Sequence, residues 1–328
     1  MRVRDCGLRI GVFESGPHNA LTDVSGVLVG HVTLSDDGKG MHTGVTAIRP
    51  HPGNLFQEKV PAGFFIANAF GKMTGYPQIL ELGNLETPIV LTNTLSVAAG
   101  LDGLIDWTFS YPENAGVRSV NAFVGETNDG GFNDIRARFV RPEHVRAALE
   151  GASAGPVAEG CVGAGTGTKA FGFKAGIGTS SRVLPSAAGG WPWQKAVESA
   201  DGSAVIIVAT DAPLDSRNLE RLAKRAFMGL ARTGGVGSNG SGDFVLAFST
   251  APENRIAHDA PALSCPTFRT VRNDDMTPLF MEAIEAAEEA ILNSLFAAMP
   301  VRTFDGSVAE PVPLETVLAM LREEGKTP

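Results

Sequence analysis

"AVIIVATDAPLDSRNLERLAKRAFMGLARTGGVGSNGSGDFVLAFS", residues 204–249, carries two periodicities in one stretch. "AVIIVAT" (204–210) is a short apolar run, and "DFVLAFS" (243–249) is apolar and alternating, so both read as buried strands. Between them, residues 215–233 place Leu219, Leu222, Ala226, Phe227 and Leu230 at helical spacing, with Arg217, Arg221, Lys224 and Arg225 on the other side. Strands and an amphipathic helix therefore alternate, which sets the class as α/β or α+β.

The same mixture continues outward. Strand-like runs occupy 26–34, 62–70, 87–93 and 118–126, each bounded by Gly, Pro or Asn. Helices are expected after Thr94 and over 141–151, 276–297 and 313–324, while the glycine-dense stretch 160–190 reads as the loosest region. No tandem repeat or linker divides residues 1–328, so one domain is expected. The formal charge of −9 and the lack of a basic run argue against nucleic acid. No apolar stretch is long enough to span a bilayer, and the charged N-terminus does not resemble a signal peptide. Cys6, Cys161 and Cys265 are far apart and show neither disulfide nor metal spacing. These features predict a soluble, cytoplasmic protein without metal or cofactor.

Helix 276–297 holds an anomaly. Its apolar stripe runs Phe280, Ile284, Ile291, Leu295, and the position completing it is Glu288. Glu282, Glu285 and Glu289 share another face, as a solvated helix surface would. Glu288 is then either a stripe-edge carboxylate reaching back to water, or a buried catalytic or amine-orienting group that must find a partner.

Several motifs are missing. There is no GxSxG or HExxH, and "GAGTGTK" (163–169) lacks the spacing of a phosphate loop. The remaining candidate is Ser241, within "GGVGSNGSGDF" (234–244). A serine hydroxyl needs a base, and chain cleavage before the serine would supply one, because an α-amine has a pKa of about 8. The hydroxyl could make that cut itself by attacking the preceding carbonyl, and glycine at 240 removes the steric obstacle. By composition alone, a plain glycine-rich turn fits the same residues.

The segments "NALTDVSGVLVGHVT" (19–33), "TGVTAIRP" (43–50), "TPIVLTNT" (87–94), "GETNDGGFND" (125–134), "GAGTGTKAFGFKAGIGTSSR" (163–182), "VATDAPL" (208–214), "NGSGDFVLAFST" (239–250) and "EEAILNSL" (288–295) occur in this order. Together they resemble the L-aminopeptidase/D-esterase and β-peptidyl aminopeptidase family of autoprocessing serine aminopeptidases. The resemblance implies a four-layer αββα sandwich similar to N-terminal-nucleophile hydrolases. It also implies self-cleavage between Gly240 and Ser241 into fragments 1–240 and 241–328, assembled as a tetramer of processed pairs. Ser241 would be the nucleophile that forms the acyl-enzyme. A helix glutamate, Glu288 in preference to Glu289, would orient the new amine, and Glu126 would bind the free amine of a short peptide, amide or ester. The pattern departs at three places: Gly131 stands where many members have Tyr, no Asn follows "GIGTSSR", and Ala286 or Ala287 replaces a serine. The Gly242 N–H is the remaining oxyanion candidate. These departures leave a second reading, a weak or inactive relative that binds a small amine-bearing ligand.

Overall fold

The computed structural model describes residues 1–184, 192–200, 203–264, 266–323 and 325, with 192–200 described only as a strand. A smaller sheet contains β1 (Leu28–Asp36), β2 (Met41–Arg49), β4 (Ile89–Asn93) and β5 (Phe123–Thr127), in the order β1-β2-β4-β5. A larger sheet contains β3 (Glu58–Ala69), β6 (Ile177–Val183), β7 (Pro192–Ala200), β8 (Ser203–Thr210) and β9 (Gly242–Ser249), in the order β3-β9-β8-β7-β6. Two-residue strands, Asn84–Leu85 and Ile256–Ala257, extend the larger sheet beside β3.

Helices α1 (Val97–Phe109) and α2 (Pro142–Glu150) cover the smaller sheet, and α3 (Ser216–Arg232) and α4 (Met276–Phe296) cover the larger. The core between the sheets joins Val29, Ile48, Leu91 and Phe123 to Phe64, Ile207, Phe244, Leu246 and Phe248. A second core packs Ile206, Val208, Val245 and Ala247 against α3 and α4, and a third packs Val45, Val90 and Val124 against α1 and α2. The result is the expected αββα order. Both sheets bury both faces, which is why so many strands read as continuous apolar runs.

The opening stretch folds as its periods require. Strands β8 and β9 pair in parallel, from Ala204 opposite Asp243 to Thr210 opposite Ser249, and α3 is the crossover between them. The Asp215 side chain caps α3 by accepting from the Asn218 N–H at 2.8 Å. Gly229 lets α3 approach α4, since a Cβ there would lie 2.5 Å from Ala287 Cβ and 2.7 Å from Ile284 O. The smaller sheet repeats the design, with β4 and β5 parallel and α1 between them.

One expectation is corrected and one strand is added. The stretch 160–190 is not loose throughout, because β6 lies within it. Its Thr179, Ser180, Ser181 and Arg182 are all 0% exposed, and their polarity hides the strand from a hydrophobic pattern. Strand β2 was also hidden, since His42, Thr43 and Thr46 are buried in it. No described helix is long and apolar enough to cross a membrane.

Candidate active site

Ser241 stands immediately before β9 and is fully buried, although Ser238, Asn239 and Gly240 before it are exposed. The Ser241 N–H donates to Ser238 O at 2.8 Å, closing a turn that contains the Gly240–Ser241 peptide bond. The Ser241 hydroxyl donates to Asp243 Oδ1 at 2.9 Å. Strand alternation explains the pair: residues two apart share a face, here the face that Val245 and Ala247 turn toward α3 and α4. Asp243 Oδ1 also accepts from the Ala204 N–H at 3.0 Å, while Oδ2 is buried without a hydrogen-bond partner. Burial pushes the Asp243 carboxyl above the usual carboxylate range, against the opposing hydrogen bonds from Ser241 and Ala204.

Strand β3 supplies the other wall. Asn68 pairs with Asp243, Ile66 pairs with Phe244, and the skipped residue, Ala67, marks a bulge beside Ser241. The Asn68 Nδ2 group donates to Ser238 O at 2.7 Å and to Ser241 O. Past the end of β3, the Lys72 N–H donates to Glu126 Oε1 at 3.0 Å, and the Thr94 hydroxyl donates to Glu126 Oε2. The segment Phe70–Lys72 therefore links Glu126 to the Ser241 corner. Gly71 is needed there, because a Cβ would lie 2.7 Å from Phe244 Cε2 and 3.2 Å from Glu126 Oε1.

The Gly242 N–H, expected as an oxyanion donor, is already engaged: it donates to Ser203 Oγ at 2.9 Å. Gly131 is exposed, with nothing within 4 Å of its would-be Cβ. The side chains of 192–200, in the segment after "GIGTSSR", lie outside the described residues. The "GAGTGTK" loop is a structural turn. Its Gly163 and Ala164 N–H groups donate to Thr33 and Thr46 hydroxyls, and its Gly165 and Thr166 N–H groups donate to Val162 O and Gly163 O. Among the described residues, no cluster of His, Cys, Asp or Glu could hold a metal ion.

The helix glutamates reverse the periodicity reading. Glu282, Glu285 and Glu289 are 2%, 4% and 0% exposed, whereas Glu288 is half-buried and pairs with Arg232 at 3.2 Å. The presumed solvent face of α4 is covered by β6 and by the N-terminal segment. Glu285 accepts from the Val12 and Phe13 N–H groups, and Glu289 accepts from Arg4, Asn19 and Arg182. Burial raises Glu288 above its ordinary pKa, with Arg232 opposing. Burial would raise Glu289 too, but hydrogen bonds from Arg4 and the charge of Arg182 carry it below its ordinary value. Among the described residues, no hydrogen bond joins either glutamate to Ser241. Glu288 nevertheless meets the C-terminal end of α3, from which the chain runs on to Ser241.

Sequence reasoning missed Asp243, Asn68 and Ser203. Asp243 had a signal, being two residues after Ser241 on a strand. The other two depend on sheet register, which no local pattern specifies.

The chain matches the model of peptidase family S58 over residues 19–192 and 186–309. It is 36% identical to beta-peptidyl aminopeptidase BapA of Sphingosinicella microcystinivorans, over 98% of this chain and 92% of the relative. Among solved structures, the PH0078 protein of Pyrococcus horikoshii OT3 superposes with TM-score 0.95 at 42% identity, covering 99% of this chain and 100% of that one. The L-aminopeptidase D-Ala-esterase/amidase of Ochrobactrum anthropi superposes with TM-score 0.93 at 32% identity, covering 100% of this chain and 99% of that one. It is described as a prototype for the serine aminopeptidases and a new variant among the Ntn hydrolase fold. With the αββα layers and a buried serine at a strand edge, these matches make the chain a member of peptidase family S58, an aminopeptidase of the Ntn-hydrolase fold.

Proposed function

We propose that Ser241 is the nucleophile, first toward its own chain and then toward substrate. The observation that carries this reading is the Ser241 hydroxyl on Asp243, at the end of a turn containing the Gly240–Ser241 bond. Asp243 takes the hydroxyl proton as Oγ attacks the Gly240 carbonyl carbon. The C–N bond breaks, the Ser241 nitrogen gains a proton, and water hydrolyses the resulting ester to a Gly240 carboxylate and a free Ser241 hydroxyl. The products are fragments 1–240 and 241–328. The new α-amine, with a pKa of about 8, serves as the local base in later turnovers. Glu288 orients that amine. Its pair with Arg232, whose side chain is 53% exposed, costs little to break.

The substrate is a short peptide, amide or ester whose protonated amine is held by Glu126 through a charge-assisted hydrogen bond. Two relatives, at 36% and 37% identity, are named beta-peptidyl aminopeptidases, so β-amino-acyl substrates come first in testing. The processed pairs assemble as a tetramer. The engaged Gly242 N–H and the open space at Gly131 favour, as a second reading, a processed chain with weak turnover. Purified protein should give two bands on a denaturing gel, the smaller beginning Ser-Gly-Asp-Phe, and Ser241→Ala should give one. A wild-type chain that stays whole would sink the mechanism. Two bands without turnover of β-aminoacyl or α-aminoacyl p-nitroanilides would select the second reading.

A further inference from the structure

We infer that Asn68 is the positioning residue of the self-cleavage step: its side-chain amide staples the turn that presents the Gly240–Ser241 bond. This rests on the reading of that bond as the scissile one. A primary amide has two N–H donors. Asn68 directs Nδ2 to two carbonyls, Ser238 O at the start of the turn and Ser241 O at its end. The carbonyl under attack, that of Gly240, lies between the two anchored groups.

Ser238, Asn239 and Gly240 are exposed, and a Cβ at Gly240 would meet nothing within 4 Å. Exposed glycine-rich backbone samples many conformations, and attack requires one. The β3 bulge explains why an asparagine at this position can reach. Asn68 still pairs with Asp243 while the next partner of β9 skips to Ile66, and bulges re-aim side chains beside sites. One strand position thus pairs with the residue that holds the Ser241 hydroxyl and, through its side chain, grips the peptide on either side of the bond. After cleavage the contact with Ser241 O persists, so Asn68 also steadies the new N-terminal residue during turnover.

The test compares self-cleavage rates of the full chain, followed from rapid purification, for wild type, Asn68→Leu and Asn68→Asp. Leucine keeps the volume without donors, and aspartate turns two carbonyls toward an acceptor. Both variants should cleave 10- to 100-fold more slowly. Melting midpoints of Ser241→Ala and Ser241→Ala/Asn68→Leu should agree within a few degrees. In the processed fraction of Asn68→Leu, kcat should fall at unchanged KM, because Glu126 still binds the amine. Cleavage of Asn68→Leu at the wild-type rate would overturn the inference. So would slow cleavage accompanied by a collapsed melting midpoint in the double variant, which would make Asn68 structural. A wild-type chain that never cleaves would overturn the reading beneath it, and would be seen before any variant is compared.

Discussion

Asp243 and Glu289 are both 0% exposed carboxylates facing the helix side of the larger sheet, and their surroundings differ completely. Glu289 accepts four hydrogen bonds: two from Arg4, at 2.7 and 2.9 Å, one from Asn19 at 2.6 Å and one from Arg182 at 2.8 Å. Asp243 accepts two on one oxygen and none on the other. The first is pulled below its ordinary pKa and the second is pushed above it. A buried carboxylate that accepts four hydrogen bonds has its proton affinity lowered. An under-satisfied one beside a hydroxyl keeps the affinity needed to accept a proton.

The largest expected effect is at Asp243. Asp243→Asn should slow self-cleavage by about 10²–10⁴-fold, the usual contribution of a general base, with uncleaved chain accumulating on a gel. Acid should act in the same direction. Asp243 must be ionised to take the Ser241 proton, and its carboxyl is raised, so the rate should fall as pH drops through a midpoint above the ordinary carboxylate value of about 4. Glu289 has a lowered carboxyl, so the stability it contributes is present above its unfolded pKa and is lost only as pH falls through the folded value. On acidification, cleavage should therefore fail before Glu289 is protonated. Cleavage that persists below the pH at which the Glu289 carboxylate titrates in Ser241→Ala, followed by NMR, would break the contrast.

Next comes the cluster around Glu289. Arg182 is 0% exposed and reaches both Glu285 and Glu289, at 3.3 and 2.8 Å. Arg182→Met should leave those two carboxylates buried with less charge compensation, at a cost of about 3–5 kcal/mol. Denaturant unfolding of the Ser241→Ala chain measures it. A loss below about 1 kcal/mol would mean that Arg4 and Asn19 alone satisfy the site.

A smaller effect is expected at the amine end. Gly71→Ala adds a methyl 3.2 Å from Glu126 Oε1 and 2.7 Å from the Phe244 ring. It should raise KM about tenfold for aminoacyl substrates with little change in kcat, the pattern of lost uniform binding. An unchanged KM would remove Glu126 from the amine site.

These contrasts also show what the sequence can and cannot carry. The mixture of strand and helix was legible because 204–249 displays its strand, helix and strand as local periods, whereas the αββα layer order came only with the family resemblance. Asp243 was legible in principle, since alternation puts it on the face of Ser241. Asn68 was not, because its reach depends on a bulge that pairs residues far apart in sequence. Glu289 was misread for a related reason. Periodicity measures a helix against water, and the N-terminal segment that replaces water on that face, with Arg4 and Asn19, lies more than 250 residues away. Strand β6 was hidden because its buried serines, threonine and arginine are polar and satisfied by distant partners.

The smallest stability effect is expected at Glu288, and it sharpens the contrast from within one helix. Glu288 and Glu289 are adjacent, yet only Glu288 keeps an exposed partner, Arg232, at 3.2 Å. Exposed pairs contribute about 0–1 kcal/mol, so Glu288→Gln should unfold within that margin of the parent chain. Its proposed work begins only after Gly240 leaves, when an amine exists to orient. Glu288→Gln should therefore still give two bands at the wild-type rate while kcat falls, because glutamine offers that amine no charge. Arg232→Ala provides the complementary measurement: it frees Glu288 and should leave both cleavage and turnover intact. If Glu288→Gln instead turned over substrate normally, Glu288 would have no part in orienting the amine, and Glu289 would be the next helix glutamate to test.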